Sequence, residues 1–181
     1  LNTHTTLEPS AWVRRWAWLI APHGRVLDVA CGSGRHLRWL AQRGHAVTGV
    51  DRDAAAVAPL QAVARIVCTD IERGAWPLDG ETFDGVIVTN YLWRPLLATI
   101  VASVAPGGVL IYETFAAGNE RFGKPSNPDF LLQPGELLWA CASLSIVAYE
   151  DGLLDGPPRR IQRVTARRQP QEAAPLELRT C

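Results

Sequence analysis

The chain has 181 residues with 18 basic and 18 acidic side chains, so no global field draws it to nucleic acid or to an anionic membrane surface. At this length one domain buries roughly two thirds of the surface its unfolded chain exposes, and folding needs neither metal nor disulfide. Cys31, Cys68, Cys141 and Cys181 form no C-x-x-C pair and lie far from any histidine at zinc-finger spacing, no apolar run approaches the roughly 20 residues of a bilayer span, and the N-terminus has no leader pattern. The expectation is a cytoplasmic protein with free thiols and no metal, and the absence of methionine, initiator included, makes Leu1 a processed or trimmed start.

In chain order, Glu8-Pro9-Ser10 reads as a helix start, followed by Trp12, Val13, Trp16, Leu19 and Ile20 at helical spacing and closed by Pro22-His23-Gly24. Trp12 and Trp16 share a face and pack on the domain, whereas Trp18 points elsewhere; the helix either covers a ligand or simply joins the core. Residues 25–30 are too few for a helix and apolar enough for a buried strand, and they run into the turn Cys31-Gly32-Ser33-Gly34. Then come a helix over 35–43, a strand over 46–50, a helix over 53–63 and a strand over 65–68. Such alternation argues for parallel strands joined by right-handed crossovers.

A strand over 83–89, a helix over 93–104 and a strand over 108–114 follow, the last after the turn Pro106-Gly107-Gly108, and both strands are predicted to lie centrally. Residues 116–129 hold Gly118, Gly123, Pro125 and Pro128 with Arg121, Phe122 and Lys124 between them, the composition of an ordered functional loop or lid. A helix over 133–142 precedes strands over 145–150 and 159–168, predicted to form an antiparallel hairpin across a turn at 152–158. Residues 1–168 thus read as a single domain, and 169–181 as a disordered tail or remnant without periodicity.

In open α/β sheets, ligands bind beyond the carboxyl ends of the strands where strand order reverses. Gly32 and Gly34 fall at that point: without side chains they let backbone N–H groups approach a ligand, and the following helix offers a positive N-terminus. Asp28 near the end of the first strand and Asp51 at the end of the second, 17 residues past Gly34, sharpen the signal. An acid at the second position suits a ribose diol. A nicotinamide fingerprint would want glycine or alanine where Leu37 stands and has no use for Asp28, while a carboxylate there offsets a cationic sulfonium ligand bearing an ammonium group. The bland alternative is that Asp28 and Asp51 cap helices. Asp70, after the third strand, either accepts from an adenine amine beside Ile71 or is a plain turn aspartate.

VLDVACGSGRHLRWLAQRGHAVTGVDRD resembles the first two motifs of class I S-adenosylmethionine-dependent methyltransferases, and FDGVIVTNYLWRPLL with VAPGGVLIYETF resembles their later ones. The likeness spans about residues 10–168, and GNERFGKPSNPDFLLQPGELL with the C-terminal hairpin is most similar to small bacterial enzymes related to tellurite-resistance methyltransferases. The resemblance implies a three-layer, Rossmann-like α/β fold whose seven-stranded, mostly parallel sheet has the order 3-2-1-4-5-7-6 and an antiparallel last strand. It implies S-adenosyl-L-methionine as cofactor, with Asp28, Ala30, Gly32 and Gly34 around its methionine portion, Asp51 and Arg52 at the ribose, and Asp70 with Ile71 at the adenine. Asn90 and Tyr91 would face the transferred methyl as catalytic residues, Asn90 also touching the cofactor. Thr89-Asn90-Tyr91-Leu92 is neither the Asn-Pro-Pro-Tyr pattern of many amino methyltransferases nor a Pro-Cys nucleophile, which disfavours DNA bases as acceptors.

Methyl transfer from a sulfonium is an in-line displacement that a protein accelerates chiefly by near-attack positioning, worth roughly 7–11 kcal/mol at best. His36 is a candidate to deprotonate or position an acceptor, and Arg94, Arg121 and Lys124 to draw in an anionic one; for each, a solvated or structural side chain is the alternative. The leading expectation is a transferase acting on a small-molecule oxygen, nitrogen, sulfur or metalloid oxyanion acceptor. Methylation of RNA or protein would need a basic groove or a partner that the sequence does not display. A non-catalytic cofactor-binding regulatory protein stands as the third reading, and oligomeric state is left open.

Overall fold

The protein's computed structural model describes residues 8–170; expectations for residues 1–7, for 171–181 and for Cys181 lie outside the described residues. Seven strands form one sheet in the order β3-β2-β1-β4-β5-β7-β6. β1 (Arg25–Val29), β2 (Ala46–Asp51), β3 (Arg65–Cys68), β4 (Phe83–Thr89) and β5 (Val104–Phe115) pair in parallel. β7 (Arg159–Arg167) lies antiparallel between β5 and β6 (Ser145–Leu154). This is the expected order, with β4 at the middle of the sheet.

Both faces of the sheet are covered, and for that reason the central strands read as unbroken apolar runs. Successive side chains alternate between two cores: Leu27, Val86, Val88, Leu110 and Tyr112 on one face, and Val26, Ile87, Val109 and Ile111 on the other. Against the second face pack α1 (Ala11–Trp16) through Trp12 and Val13, α2 (Arg35–Ala41) through Leu37 and Leu40, and α3 (Ala54–Val57) through Val57. The first face takes α4 (Leu97–Ala102) through Ile100 and Val101, and α5 (Glu136–Ala140) through Leu137. Two polar side chains, buried Gln162 and half-buried Arg168, fasten the α4–α5 layer. Gln162 donates to Gln133 O at 2.6 Å and accepts from Leu137 N at 3.3 Å, while Arg168 donates to the carbonyls of Val101 and Val104 at 2.9 and 2.8 Å and so satisfies the C-terminal end of α4.

Helices are shorter than their sequence periodicity predicts, and proline is the reason in two cases. Pro59 and Pro95, which lack an N–H, each sit in a 3-10 turn, at Ala58–Leu60 after α3 and at Arg94–Leu96 before α4. β5 begins at Val104, four residues ahead of expectation. Val104 pairs with Phe83, the register then shifts before Gly85 meets Val109, and the Pro106-Gly107 turn is absorbed between them, with Gly107 at φ +79° and its N–H bonded to Arg168 O at 2.9 Å. β6 runs on to Leu154, which narrows the predicted hairpin turn to residues 155–158.

The first helix belongs to the core. Ser10 caps it, its hydroxyl oxygen accepting from Trp12 N and Val13 N; Trp12 is 1% exposed and donates from Nε1 to Val164 O at 3.3 Å. Trp16 meets Trp12 edge-on at 5.6 Å between ring centroids, and Trp18, 73% exposed, points to solvent as expected. Trp12→Ala is therefore expected to lower unfolding free energy by about 3–5 kcal/mol, whereas Trp18→Ala stays within about 0.5 kcal/mol of the parent. Urea unfolding followed by circular dichroism checks both; equal effects would contradict the assigned packing.

Candidate functional site

The sheet's order reverses between β1 and β4, and the chain leaves both strands in the left-handed region. Ala30 (φ +54°) follows β1 and Asn90 (φ +56°) follows β4, both conformations that L side chains rarely adopt, at a cost of about 1–3 kcal/mol each. Gly32 (φ +52°) and Gly34 (φ +74°) complete the turn after β1. Their missing side chains matter differently: a Cβ on Gly32 would meet nothing within 4 Å, whereas one on Gly34 would strike Leu60 Cδ2 at 2.5 Å. Gly34 thus lets α2 pack on Leu60, while Gly32 leaves its backbone bare.

Asp51, the last residue of β2, holds this turn in place. One carboxylate oxygen accepts from Gly32 N at 2.7 Å and the other from Asp53 N at 2.9 Å. An ionised carboxylate has about four acceptor sites, so two remain for a ligand. The capping alternative fails for this acid: Asp53, not Asp51, caps α3 by accepting from Ala55 and Ala56, and Gly34 occupies the cap position of α2. Asp28 caps nothing either; it is 1% exposed beneath the turn, with Oδ2 buried, free of any hydrogen bond among the described residues and 3.6 Å from His36 Nδ1.

Two concavities open at this edge. The first is lined by Ala30, Asp51 and Arg52 from the first two strand ends and by Asp70 and Ile71 after β3, with Thr69, Glu72 and Tyr91 completing it. Asp70 is a turn aspartate that also lines this concavity. Its Oδ1 takes the N–H of Glu72 at 3.0 Å as a turn aspartate does, and its Oδ2 faces Arg52 and Arg73 at 3.9 and 3.8 Å. Burial, then the Glu72 carboxylate, push the Tyr91 phenol above its ordinary range, so it stays protonated. The second concavity is a larger cleft beyond β4 and β5, lined among others by Ser10, Asn90, Glu113, Phe115, Lys124 and Arg159. Asn90 and Tyr91, neighbours in sequence, thus line one concavity each.

Three of the expected acceptor-side residues are placed otherwise. His36 is 1% exposed and its Nε2 accepts the N–H of Ser10 at 3.2 Å; a backbone N–H can only donate, so the ring proton resides on Nδ1, toward Asp28. It braces the start of α1 and does not reach the cleft. Arg94 grips Glu136 through two bonds of 2.7 and 2.9 Å and donates to the carbonyls of Asp129 and Leu131 at 2.7 and 2.8 Å, which makes it a clamp on the segment before α5. Arg121 stands on an exposed turn outside the cleft lining, and only Lys124 of the basic loop residues lines it. The loop itself is ordered, as expected: Asn119, 1% exposed, donates to Pro125 O at 3.0 Å and accepts from Arg160 N at 3.1 Å.

Sequence reasoning passed over Glu113, an acid at the end of β5 that is 8% exposed, accepts the Ser10 hydroxyl and lies 3.8 Å from Arg163. An acid inside the apolar run VLIYETF was its signal. Ser10 therefore links three elements, capping α1, bonding β5 through Glu113 and bonding α2 through His36. Arg159, from the hairpin, and Glu72 had no local signal. Among the described residues no cluster of three or more His, Cys, Asp or Glu could hold a metal ion, and no helix is long and apolar enough to cross a membrane.

Residues 26–108 match the family described as a methyltransferase domain. No curated protein sequence matches the chain. Among solved structures, TehB from Haemophilus influenzae is similar at TM-score 0.72 and 20% identity, over 89% of this chain and 63% of that one. An S-adenosylmethionine-dependent methyltransferase from Methanosarcina mazei aligns at TM-score 0.70 and 13% identity, over 91% of this chain and 100% of that one. A TehB-like S-adenosylmethionine-dependent methyltransferase from Corynebacterium glutamicum aligns at TM-score 0.65 and 20% identity, over 87% of each. At these identities the likeness shows the fold, and the chain spans less than two thirds of the length of the Haemophilus structure.

The glycine turn contains a cysteine that the geometry removes from any nucleophilic role. Burial, then Asp28 and Asp51, push the Cys31 thiol far above its ordinary range, and burial pushes Cys141 up to about 12. A raised thiol pKa means a protonated, unreactive sulfur at pH 8. Iodoacetamide at pH 8 is expected to alkylate exposed Cys68 while leaving Cys31 and Cys141 untouched until denaturant is added; site-resolved mass spectrometry reads the order, and early labelling of Cys31 would contradict this electrostatic account.

Proposed function

We propose, for a chain that carries a methyltransferase domain of the class I S-adenosylmethionine-dependent fold, that it transfers a methyl group to a small acceptor held in the cleft beyond β4 and β5. The observation that carries the reading is the Asp51 carboxylate, fixed at the end of β2 by Gly32 and Asp53 with acceptor sites left over and opening on the first concavity. The residues present fit S-adenosyl-L-methionine. Asp51 can take both hydroxyls of a ribose, Asp70 can accept from an adenine amine with Ile71 against the ring, and open space above Gly32 admits a ligand close to bare backbone. Asp28, whose buried Oδ2 faces His36 at 3.6 Å without a hydrogen bond among the described residues, puts a carboxyl group just before the turn, which favours a cationic ligand.

When bound, the cofactor supplies an electrophilic methyl on a sulfonium. The protein's share is positioning. Asp51 and Asp70 set the nucleoside, and Ala30 and Asn90, held in left-handed conformations at adjacent strand ends, bring backbone to either side of the switch point. Asn90 and Tyr91 stand where the first concavity and the cleft adjoin in sequence, the position from which side chains can orient an acceptor toward the methyl. The balanced charge of the whole chain and the confined cleft favour a small molecule over RNA or a protein surface. The free thiols of Cys31, Cys68 and Cys141 go with a cytoplasmic setting.

Calorimetric titration of S-adenosylhomocysteine, with NADH as control, tests the reading. Asp51→Ala is expected to weaken S-adenosylhomocysteine binding about 10- to 100-fold, as hydrogen bonds to a charged group contribute about 1.5–3 kcal/mol, with the far-ultraviolet spectrum unchanged and no binding of NADH. Unaltered affinity in the variant would remove Asp51 from the site.

A further inference from the structure

The acceptor cleft joins three chemistries that methyl transfer in general does not require together. At its floor stands Glu113. Its Oε1 accepts the Ser10 hydroxyl, its Oε2 has no hydrogen bond among the described residues, and the neighbouring guanidinium of Arg163, 3.8 Å away, is already committed to Glu150 through Nε at 2.8 Å and through Nη2. Glu150 also holds Arg15 at 3.4 Å, but Arg163 reaches Glu113 only through Nη1 at 3.8 Å, beyond hydrogen-bond distance, so Oε2 keeps its acceptor sites for a donor: a hydroxyl, an amine or an ammonium group.

The mouth of the cleft has the opposite character. Lys124, from the ordered loop, and Arg159, at the start of β7, line it without an ion pair among the described residues. Among the other charged groups here, Arg35 donates to Thr89 Oγ1 at 3.4 Å, Arg160 pairs with Asp151 and Arg163 with Glu150, and Asp155 adds one carboxylate to the lining. Two unpaired cations on a concave wall focus potential for an anion. Phe115 and Phe122 also line the cleft, and Phe122 holds its ring 47% exposed there, which suits an apolar body.

We infer, resting on the methyltransferase reading above, that the acceptor is a small organic acid with an aromatic or similar apolar body. Its anionic group sits against Lys124 and Arg159, and its protic nucleophile hydrogen-bonds to Glu113. In the transfer the nucleophile's lone pair forms the bond to the methyl carbon, the carbon–sulfur bond breaks with its electron pair left on sulfur, and the nucleophile's proton passes to Glu113 Oε2 and on to solvent.

The test titrates 4-hydroxybenzoate and 4-(aminomethyl)benzoate, each beside its neutral carboxamide twin, into the full-length protein saturated with S-adenosylhomocysteine. At least one acid is expected to bind about tenfold or more tightly than its amide. Lys124→Ala and Arg159→Ala, both surface changes, are expected to bring the acid down to the level of the amide, and Glu113→Gln to weaken acid and amide alike while leaving S-adenosylhomocysteine affinity in place. Equal binding of acids and amides, or binding of neither acid, with S-adenosylhomocysteine bound normally, overturns this substrate class and leaves the methyltransferase reading standing. Failure of S-adenosylhomocysteine to bind at all overturns that reading, and the acceptor assignment falls with it.

Discussion

The carboxylate of Asp51 bonds at once to the turn after β1 and to the first residues after β2, and the site's shape follows from that bridge. Gly32 is at φ +52° with no side chain to pack, and its N–H is held by the 2.7 Å bond to Asp51, while Cys31 N and Gly34 N bond to Val50 O and Cys31 O on either side. Parallel pairing of β1 with β2 and of β2 with β3 puts the three strand ends side by side, and Asp51 belongs to the middle one. A second bridge runs beneath it. Asp28 faces His36, His36 accepts from Ser10, and Ser10 donates to Glu113, so half-buried Ser10 ties the start of α1 to the buried side chains of His36 and Glu113. Low dielectric strengthens such contacts and makes their partial loss costly.

The consequence is a division between two compartments with one pair of residues at the border. Acids at the ends of β2 and β3 define the first concavity, and a mixed acidic, basic and aromatic lining defines the cleft beyond β4 and β5. Asn90 and Tyr91 contribute one side chain to each. Apart from His23 in the turn before β1, the left-handed non-glycine residues, Ala30 and Asn90, stand at the two strand ends that flank the reversal of strand order, where a surrounding sheet can enforce the strain. The hairpin of β6 and β7 and the loop pinned by Asn119 then close the far side of the cleft, bringing Arg159 and Lys124 to it from segments 35 residues apart in sequence.

Strands were legible because burial on both faces writes them as apolar runs: β3 and β4 have the bounds that sequence alone predicts, and strand order followed from a resemblance to known motifs. Helix ends were less so, since Pro59 and Pro95 turn the chain into 3-10 geometry where periodicity continues unbroken. The acids at 51 and 70 and the glycine turn could be placed because each follows directly from a strand end. Charged side chains farther along could not. Whether Arg94 reaches a ligand or Glu136, and whether His36 faces a cleft or the underside of Ser10, is decided by residues 42 and 26 positions away. Glu113 was visible as an acid inside an apolar strand, but what it faces is decided by Ser10 and Arg163, 103 and 50 positions away.

The central claim is that the first concavity holds the nucleoside of the cofactor and directs its sulfur toward Asn90 and the cleft. A crystal structure of the protein with S-adenosylhomocysteine tests it most directly. The account predicts ribose hydroxyls on the Asp51 carboxylate, the adenine between Ile71 and Asp70, and the sulfur on the side of Asn90. Ligand density on the opposite side of the molecule, in the hollow formed by Trp18, His23 and Trp39, or an adenine directed away from Asp70, would contradict it.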